Sequence, residues 1–125
     1  MSPDFAYEFS TRGRPVRWHS PEQREMYRIV REAVANAVRH AGARHLRVRV
    51  TGGWLGVLVE VKDDGCGIEA ELLASGNLDG HWGLTGMRER ARLLGATLSV
   101  TSQPAQGTVV RLRLPRWRTA RGVGV

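Results

Sequence analysis

Glu32, Asn36 and His40 recur every fourth residue, so on a helix they stack in one stripe. Between them stand Ala33, Ala35 and Ala37, where a solvent-facing helix would carry long charged side chains. A carboxylate, an amide and an imidazole set among alanines suit the close approach of a polar ligand. Mg²⁺ takes hard oxygen ligands and often leaves much of its shell to water and phosphate, so the amide oxygen of Asn36 can serve as an anchor. Glu32, one turn earlier, can orient a metal-bound water or act as a base. Asparagine is intrinsically unfavourable in mid-helix, which argues for a role beyond the surface. Arg39 either neutralises a phosphate or is an ordinary surface arginine. The stripe reads as the wall of a site for a metal-bound polyphosphate.

Three further places carry chemistry. Asp63 closes an alternating run and is followed by Gly65 and Gly67. A carboxylate there can accept a hydrogen bond from an exocyclic amine, and the glycines let the backbone approach a flat ring; the alternative is an acidic turn after a strand. Gly83-Leu84-Thr85-Gly86 enters a helical pattern, where free backbone amides trimmed of side chains suit phosphate oxygens. The lysine of a P-loop is lacking and no Rossmann-type strand precedes the glycines, which disfavours both of those nucleotide folds. Thr108 stands on a final strand, where its hydroxyl could join Asp63 in reading a base edge, or could simply serve a strand residue's packing.

The elements that position these residues follow from periodicity. Phe5, Tyr7 and Phe9 alternate as an opening strand, and Thr11 to Trp18 is a polar connection with room for a second short strand. Ser20 as N-cap, Pro21 at the first position and Gln23 closing a capping box predict a helix start, with the helix running to about Ala41 and ended by Gly42. Its apolar stripe is Met26, Ile29 or Val30, Ala33, Ala37 and Ala41. Leu46, Val48 and Val50 alternate with Arg47 and Arg49; Gly52-Gly53 predicts a hairpin turn. Trp54 to Lys62 then follows, with Leu55, Val57, Val59 and Val61 on one face. A short helical piece near Glu69 to Ala74 and a small, polar segment from Ser75 to Trp82 precede a second helix. That helix buries Leu84, Met87, Ala91 and Leu94 and stops at Gly95. Leu98 and Val100 begin a strand, Gln103 to Gln106 is a loop, and Val110, Leu112 and Leu114 alternate with Arg111 and Arg113 in the last strand. Strands with one arginine-rich face describe a sheet covered on one side only, with helices on the other side.

With 125 residues the chain suffices for one domain with a real core and is short for two. No apolar run approaches the ~20 residues that cross a bilayer. The start lacks the layout of a secretory signal, and the single cysteine, Cys66, cannot form an internal disulfide, so the cytoplasm is the expected setting. The formal charge of +7 is carried almost entirely by arginine, Lys62 being the only lysine. Those arginines are spread along the chain without a dense basic run, an RNA-binding aromatic motif or a zinc-finger spacing, so solvated faces explain them better than nucleic acid does.

Taken in order, Glu-x3-Asn-x2-Arg-His, Asp-Asp-Gly-x-Gly, Gly-Leu-x-Gly-Met-Arg-Glu-Arg and Gly-Thr resemble the catalytic and ATP-binding domain of bacterial two-component sensor histidine kinases, and more widely the GHKL ATPases that include gyrase and Hsp90. Arg31 through Ala41 is similar to the N box, Asp63 to Gly67 to the G1 box and Gly83 to Gly86 to the G2 box. Gly86 to Arg90 is typical of the NarL- and LytS-like branches. The resemblance covers roughly Phe5 to Pro115, followed by a basic tail from Arg116.

The resemblance implies an α/β fold of the Bergerat type, a two-layer sandwich in which a mixed sheet has helices on one face and ATP lies between helices and a lid. It implies Asn36 on Mg²⁺, Glu32 beside it, Arg39 near the phosphates and His40 packed near the adenine. Asp63 would bind the adenine amine, Gly65 and Gly67 would pass close to the base, Gly83, Leu84, Thr85 and Gly86 would meet the phosphates, and Thr108 would stand behind Asp63. The lid, about Glu69 to Trp82, is short and lacks a phenylalanine-rich F box. His19, His40, His45 and His81 all lie inside the resembling region, so the phosphoacceptor histidine and dimerisation helices are expected on another domain of a parent kinase that can itself be membrane-anchored. Mg-ATP would be presented to that histidine, and the phosphoryl group would pass to a response regulator; this domain alone would bind ATP and phosphorylate nothing. No membrane contact by the domain and no nucleic-acid partner are expected. The rival readings are an anti-sigma-factor-type serine kinase of the same superfamily and a basic nucleic-acid-binding module.

Overall fold

The computed structural model of the protein describes residues 6–14, 21–39, 42–54, 56–68 and 84–115. Within them the chain runs β1 (Ala6–Gly13), α1 (Pro21–Arg39), β2 (His45–Gly53), β3 (Gly56–Asp63), α2 (Leu84–Leu94), β4 (Thr97–Ser102) and β5 (Thr108–Pro115). The five strands form one sheet in the order β1-β2-β3-β5-β4. β1 is parallel to β2, and the other neighbours are antiparallel, so the sheet is mixed.

The helix α1 forms because its apolar residues fall on one stripe: Met26, Ile29, Ala33 and Ala37 are buried, together with Gln23 and Asn36. Proline opens the helix at a position whose missing N–H would have no intrahelical partner. Gly42 adopts a positive φ, and the Ala43 amide donates back to the Ala37 carbonyl at 3.2 Å, satisfying one of the carbonyls stranded at a helix end. α2 buries Leu84, Met87, Ala91 and Leu94 and ends at Gly95, as its spacing predicts.

Both helical stripes lie against one face of the sheet, where Leu46 and Val50 of β2, Val57, Val59 and Val61 of β3, and Val110, Leu112 and Leu114 of β5 complete a single core. Burial of each such large side chain contributes about 1.5–3 kcal/mol before the entropy of ordering it is counted. Arg47, Arg49, Glu60, Lys62, Arg111 and Arg113 alternate onto the other face. Glu60 accepts a hydrogen bond from Arg111 Nε at 3.1 Å, an exposed cross-strand pair worth at most about 1 kcal/mol. Among the described residues, therefore, helices cover one face of the sheet and the alternating arginines occupy the other.

Three boundaries differ from the sequence reading. Gly52 and Gly53 do not make the hairpin turn; both belong to β2, pairing with Val57 and Gly56, and the chain reverses between Gly53 and Gly56. Among the described residues at that end of the hairpin, Gly56 has a positive φ, at 125°. β3 accordingly begins two residues later than expected and extends through Asp63. In place of a strand followed by a polar connection, β1 runs unbroken to Gly13, because the parallel register with β2 continues from Ala6↔His45 to Gly13↔Gly52. Ser20, Leu55 and the segment from Glu69 to Gly83 lie outside the described residues, so the N-cap, the short helical piece and the small polar segment belong there too.

Candidate functional site

Asp63 is the last residue of β3, and the alternation of that strand turns its side chain to the helix-covered face with Val57, Val59 and Val61. It is 7% exposed. Its carboxylate accepts the Gly65 amide at 2.8 Å and the backbone amide of Thr108. Burial pushes its pKa above the ordinary 3.8 and the charge of Asp64 adds to that, while the two amides pull the other way. A buried carboxylate with lone pairs to spare is suited to a ligand that donates hydrogen bonds.

Thr108 faces Asp63 directly across β3 and β5 and is 5% exposed. Its hydroxyl lies 2.8 Å from Ser102 Oγ, which also receives the Ile68 amide at 2.7 Å and donates to the Gly107 carbonyl at 3.0 Å. One serine thus ties together the segment after Asp63, the β4–β5 loop and Thr108. Two glycines make the packing possible. At Gly67 (φ 76°) a Cβ would stand 2.1 Å from the Gln103 carbonyl oxygen. At Gly107 (φ 86°) it would stand 2.0 Å from that of Asp63. The loop is further held by the Ala105 amide on the Cys66 carbonyl at 2.6 Å.

Asp64 points elsewhere. Its carboxylate accepts the amides of Arg44 and His45 at 2.9 and 2.8 Å and contacts His45 Nδ1 at 2.6 Å. These bonds, the His45 backbone first, hold its pKa down at about 2. It anchors the start of β2 beside the end of β3. A cavity of about 330 Å³ runs past this corner, lined by Glu8, His45, Arg47, Lys62, Asp63 and Asp64 among others, with no described residue of α1 or α2 in its lining.

Connectivity leads the described candidates on the helices toward the same end of the sheet. α1 delivers the chain to His45 after a short connection, and Leu46 pairs with Asp63, so the C-terminal turns of α1 lie at the Asp63 end. There Asn36 is 6% exposed on the inward stripe, Glu32 is half-buried and Arg39 is exposed. α2 joins β4 at Thr97, the end of that strand remote from Thr108, so connectivity points the N-terminal end of α2 toward the Asp63 end. Thr85 and Gly86 are exposed in its first turn. Leu84 commits its side chain to the core, 1% exposed, which leaves only its backbone for a ligand. Gly65 and Gly67 are buried in the turn after Asp63. His40 and Gly83 lie outside the described residues.

Sequence reasoning missed Ser102 and Asp64. A signal for Ser102 existed: Leu98, Val100 and Ser102 alternate, so a hydroxyl follows two apolar residues on the inward side of β4. For Asp64 there was none, because its partners at Arg44 and His45 are distant in sequence.

The arrangement is a two-layer sandwich with a buried hydrogen-bond acceptor at the end of a central strand, toward which connectivity leads the C-terminal end of α1 and the N-terminal end of α2. A family model described as histidine kinase-, DNA gyrase B-, and HSP90-like ATPase matches residues 22–118. The nitrate/nitrite sensor protein NarQ of Escherichia coli is 38% identical over 101 residues, covering 80% of this chain and 17% of its own length. Sensor histidine kinase YxjM of Bacillus subtilis is 32% identical over 102 residues, 82% of this chain and 23% of its own. The chain thus spans less than a quarter of these two relatives. Among solved structures, the histidine kinase domain of a blue-light activated histidine kinase from Erythrobacter litoralis superposes with a TM-score of 0.75 at 24% identity, over 98% of this chain and 57% of that one. The catalytic domain of histidine kinase ThkA does so with 0.74 at 18%, over 90% and 79%; both likenesses establish the fold. The chain belongs to the histidine kinase-, DNA gyrase B- and HSP90-like ATPase family.

Proposed function

We propose that this domain binds Mg-ATP with the adenine amine on Asp63 and presents the γ-phosphate to a histidine on a domain outside this chain, from which the phosphoryl group passes to a response regulator. The observation that carries the reading is the facing pair of buried residues, Asp63 and Thr108, at the end of the sheet toward which the Asn36 turn of α1 is led. Asp63, already holding two backbone amides, offers its remaining lone pairs to an exocyclic N–H₂. The buried turn at Gly65 and Gly67 lets the purine ring lie against backbone.

Asn36 suits the metal by donor type. Its amide is a hard, neutral oxygen donor, and among the described residues no three His, Cys, Asp or Glu side chains gather into a metal-only site. That fits a magnesium ion carried in by phosphates, which needs few protein ligands. Such an ion neutralises charge on the transferring phosphoryl group. Glu32 orients a water or serves as base, Arg39 supports the phosphates, and the amides at the start of α2 meet phosphate oxygens with the positive end of the helix dipole. Gly83 and His40, outside the described residues, are assigned to the phosphates and the adenine respectively on the resemblance alone. Phosphoryl transfer is then positioning and charge neutralisation, with the attacking histidine supplied by the parent kinase.

A melting scan with Mg-ATP tests the reading. Ligand at about 100 times its dissociation constant adds ~2.7 kcal/mol to the folded state. A midpoint unmoved by millimolar Mg-ATP overturns the assignment.

A further inference from the structure

Ser102 lies at the centre of a hydroxyl network whose proton positions are fixed by counting. Its oxygen has one hydrogen and two lone pairs. The Ile68 amide, at 2.7 Å, can only donate, and so takes one lone pair. The Gly107 carbonyl, at 3.0 Å, can only accept, and so takes the hydrogen. What remains for Thr108, at 2.8 Å, is the second lone pair. The assignment that satisfies every partner therefore commits the Thr108 proton to Ser102, and Thr108 Oγ1 is left with lone pairs alone. Beside it, across the β3–β5 pair, stands the carboxylate of Asp63, whose oxygens already serve as acceptors for the Gly65 and Thr108 amides.

We propose that Ser102 is a positioning residue that holds Thr108 as a pure hydrogen-bond acceptor and thereby sets the site's preference for a 6-amino over a 6-oxo purine. An exocyclic amine brings two N–H donors to a pair of acceptors. A 6-oxo group brings a third acceptor to the same place, where neither Asp63 nor Thr108 can donate to it. Leaving such a group unpaired in a buried site is costly, which is what turns a proton direction into selectivity. Ser102 itself need not touch the nucleotide. The proposal rests on the adenine reading of Asp63, and adds to it a residue on a different strand that no box of the family pattern contains.

The experiment compares the affinities of ATP and inosine triphosphate by calorimetry in wild type, Ser102→Ala, Ser102→Thr, Thr108→Val and the Ser102→Ala, Thr108→Val double variant, with the melting midpoint of each ligand-free protein as a check of folding. In Ser102→Ala the Thr108 hydroxyl is free to turn and donate to a 6-oxo group. The ATP-to-ITP affinity ratio is expected to fall about fivefold, the worth of one neutral hydrogen bond. Ser102→Thr, which keeps the hydroxyl, restores the ratio. On a Thr108→Val background Ser102→Ala changes the ratio no further, because the pair acts as one unit. Equal weakening of both nucleotides in Ser102→Ala, with the ratio unchanged, or an additive effect in the double variant, overturns the proposal and reduces Ser102 to a structural brace. A wild-type protein that binds neither nucleotide is a different failure: it removes the adenine reading beneath.

Discussion

Gly107 lies so close to Asp63 that a Cβ on it would come within 2.0 Å of the Asp63 carbonyl oxygen. The loop from β4 can therefore fold down over the end of β3 only because that residue has no side chain, and its φ of 86° is a conformation that other residues rarely adopt. Gly107→Ala is expected to destabilise the fold by more than about 1 kcal/mol, since both the space and the backbone angle are wrong for alanine. Chemical denaturation measures that loss. Nucleotide affinity should fall as well, because the carbonyl that must retreat belongs to Asp63.

Asp63 should show a conflict between stability and function. Its folded-state pKa lies above the ordinary 3.8, so between those two values the native state holds more protons than the unfolded chain, and stability falls as pH rises through that window. Above it the buried charge is a standing cost. Asp63→Asn keeps an oxygen for the Gly65 amide and removes the charge. It is expected to leave the ligand-free melting midpoint at neutral pH equal or higher while weakening ATP binding by about 1.5–3 kcal/mol, the worth of a hydrogen bond to a charged group. Calorimetry beside a thermal melt reads both quantities; undiminished affinity would remove Asp63 from the base site.

Asp64 has the opposite sign. Its pKa is held at about 2, below the ordinary 3.8, so its contribution is complete above about pH 4 and is lost as pH falls toward 2. Asp64→Asn should flatten that acid limb of a melting-against-pH curve. The effect is small, since the pair with His45 is exposed to solvent.

Asn36→Ala should uncouple nucleotide binding from the metal. With the amide oxygen gone, Mg²⁺ affinity in the presence of ATP is expected to drop at least about tenfold. Metal-free ATP should bind nearly as before. Titrations with and without Mg²⁺ separate the two.

Met26 provides the control. It is completely buried on the inward face of α1 among core residues. Met26→Ala should cost about 2–5 kcal/mol of stability. The affinity for Mg-ATP of the fraction that remains folded should be unchanged, which distinguishes loss of core from loss of site.

Much of this protein could be read from its residues because the signals were local. The stripe Met26, Ile29, Ala33, Ala37 and the stripe Leu84, Met87, Ala91, Leu94 repeat at the helical period, and the arginines of β2 and β5 alternate at the strand period. Each pattern is imposed by a neighbour no more than a few residues away. The hairpin was misread for the same reason. Two adjacent glycines look like a turn, but Gly52 and Gly53 both pair inside the strand. Gly52 lies between Val57 on one side and Gly13 on the other, and a Cβ on Gly13 would stand 2.0 Å from the Gly52 carbonyl oxygen. Residue types and spacing determined the helices, the strands and the chemical kind of each candidate group. Only the tertiary structure set Asp63 opposite Thr108, seated Ser102 between Ile68 and Gly107, and tied Asp64 to the start of β2. Those relations depend on strand register between segments tens of residues apart, and register is decided by packing across the sheet, which no local period encodes.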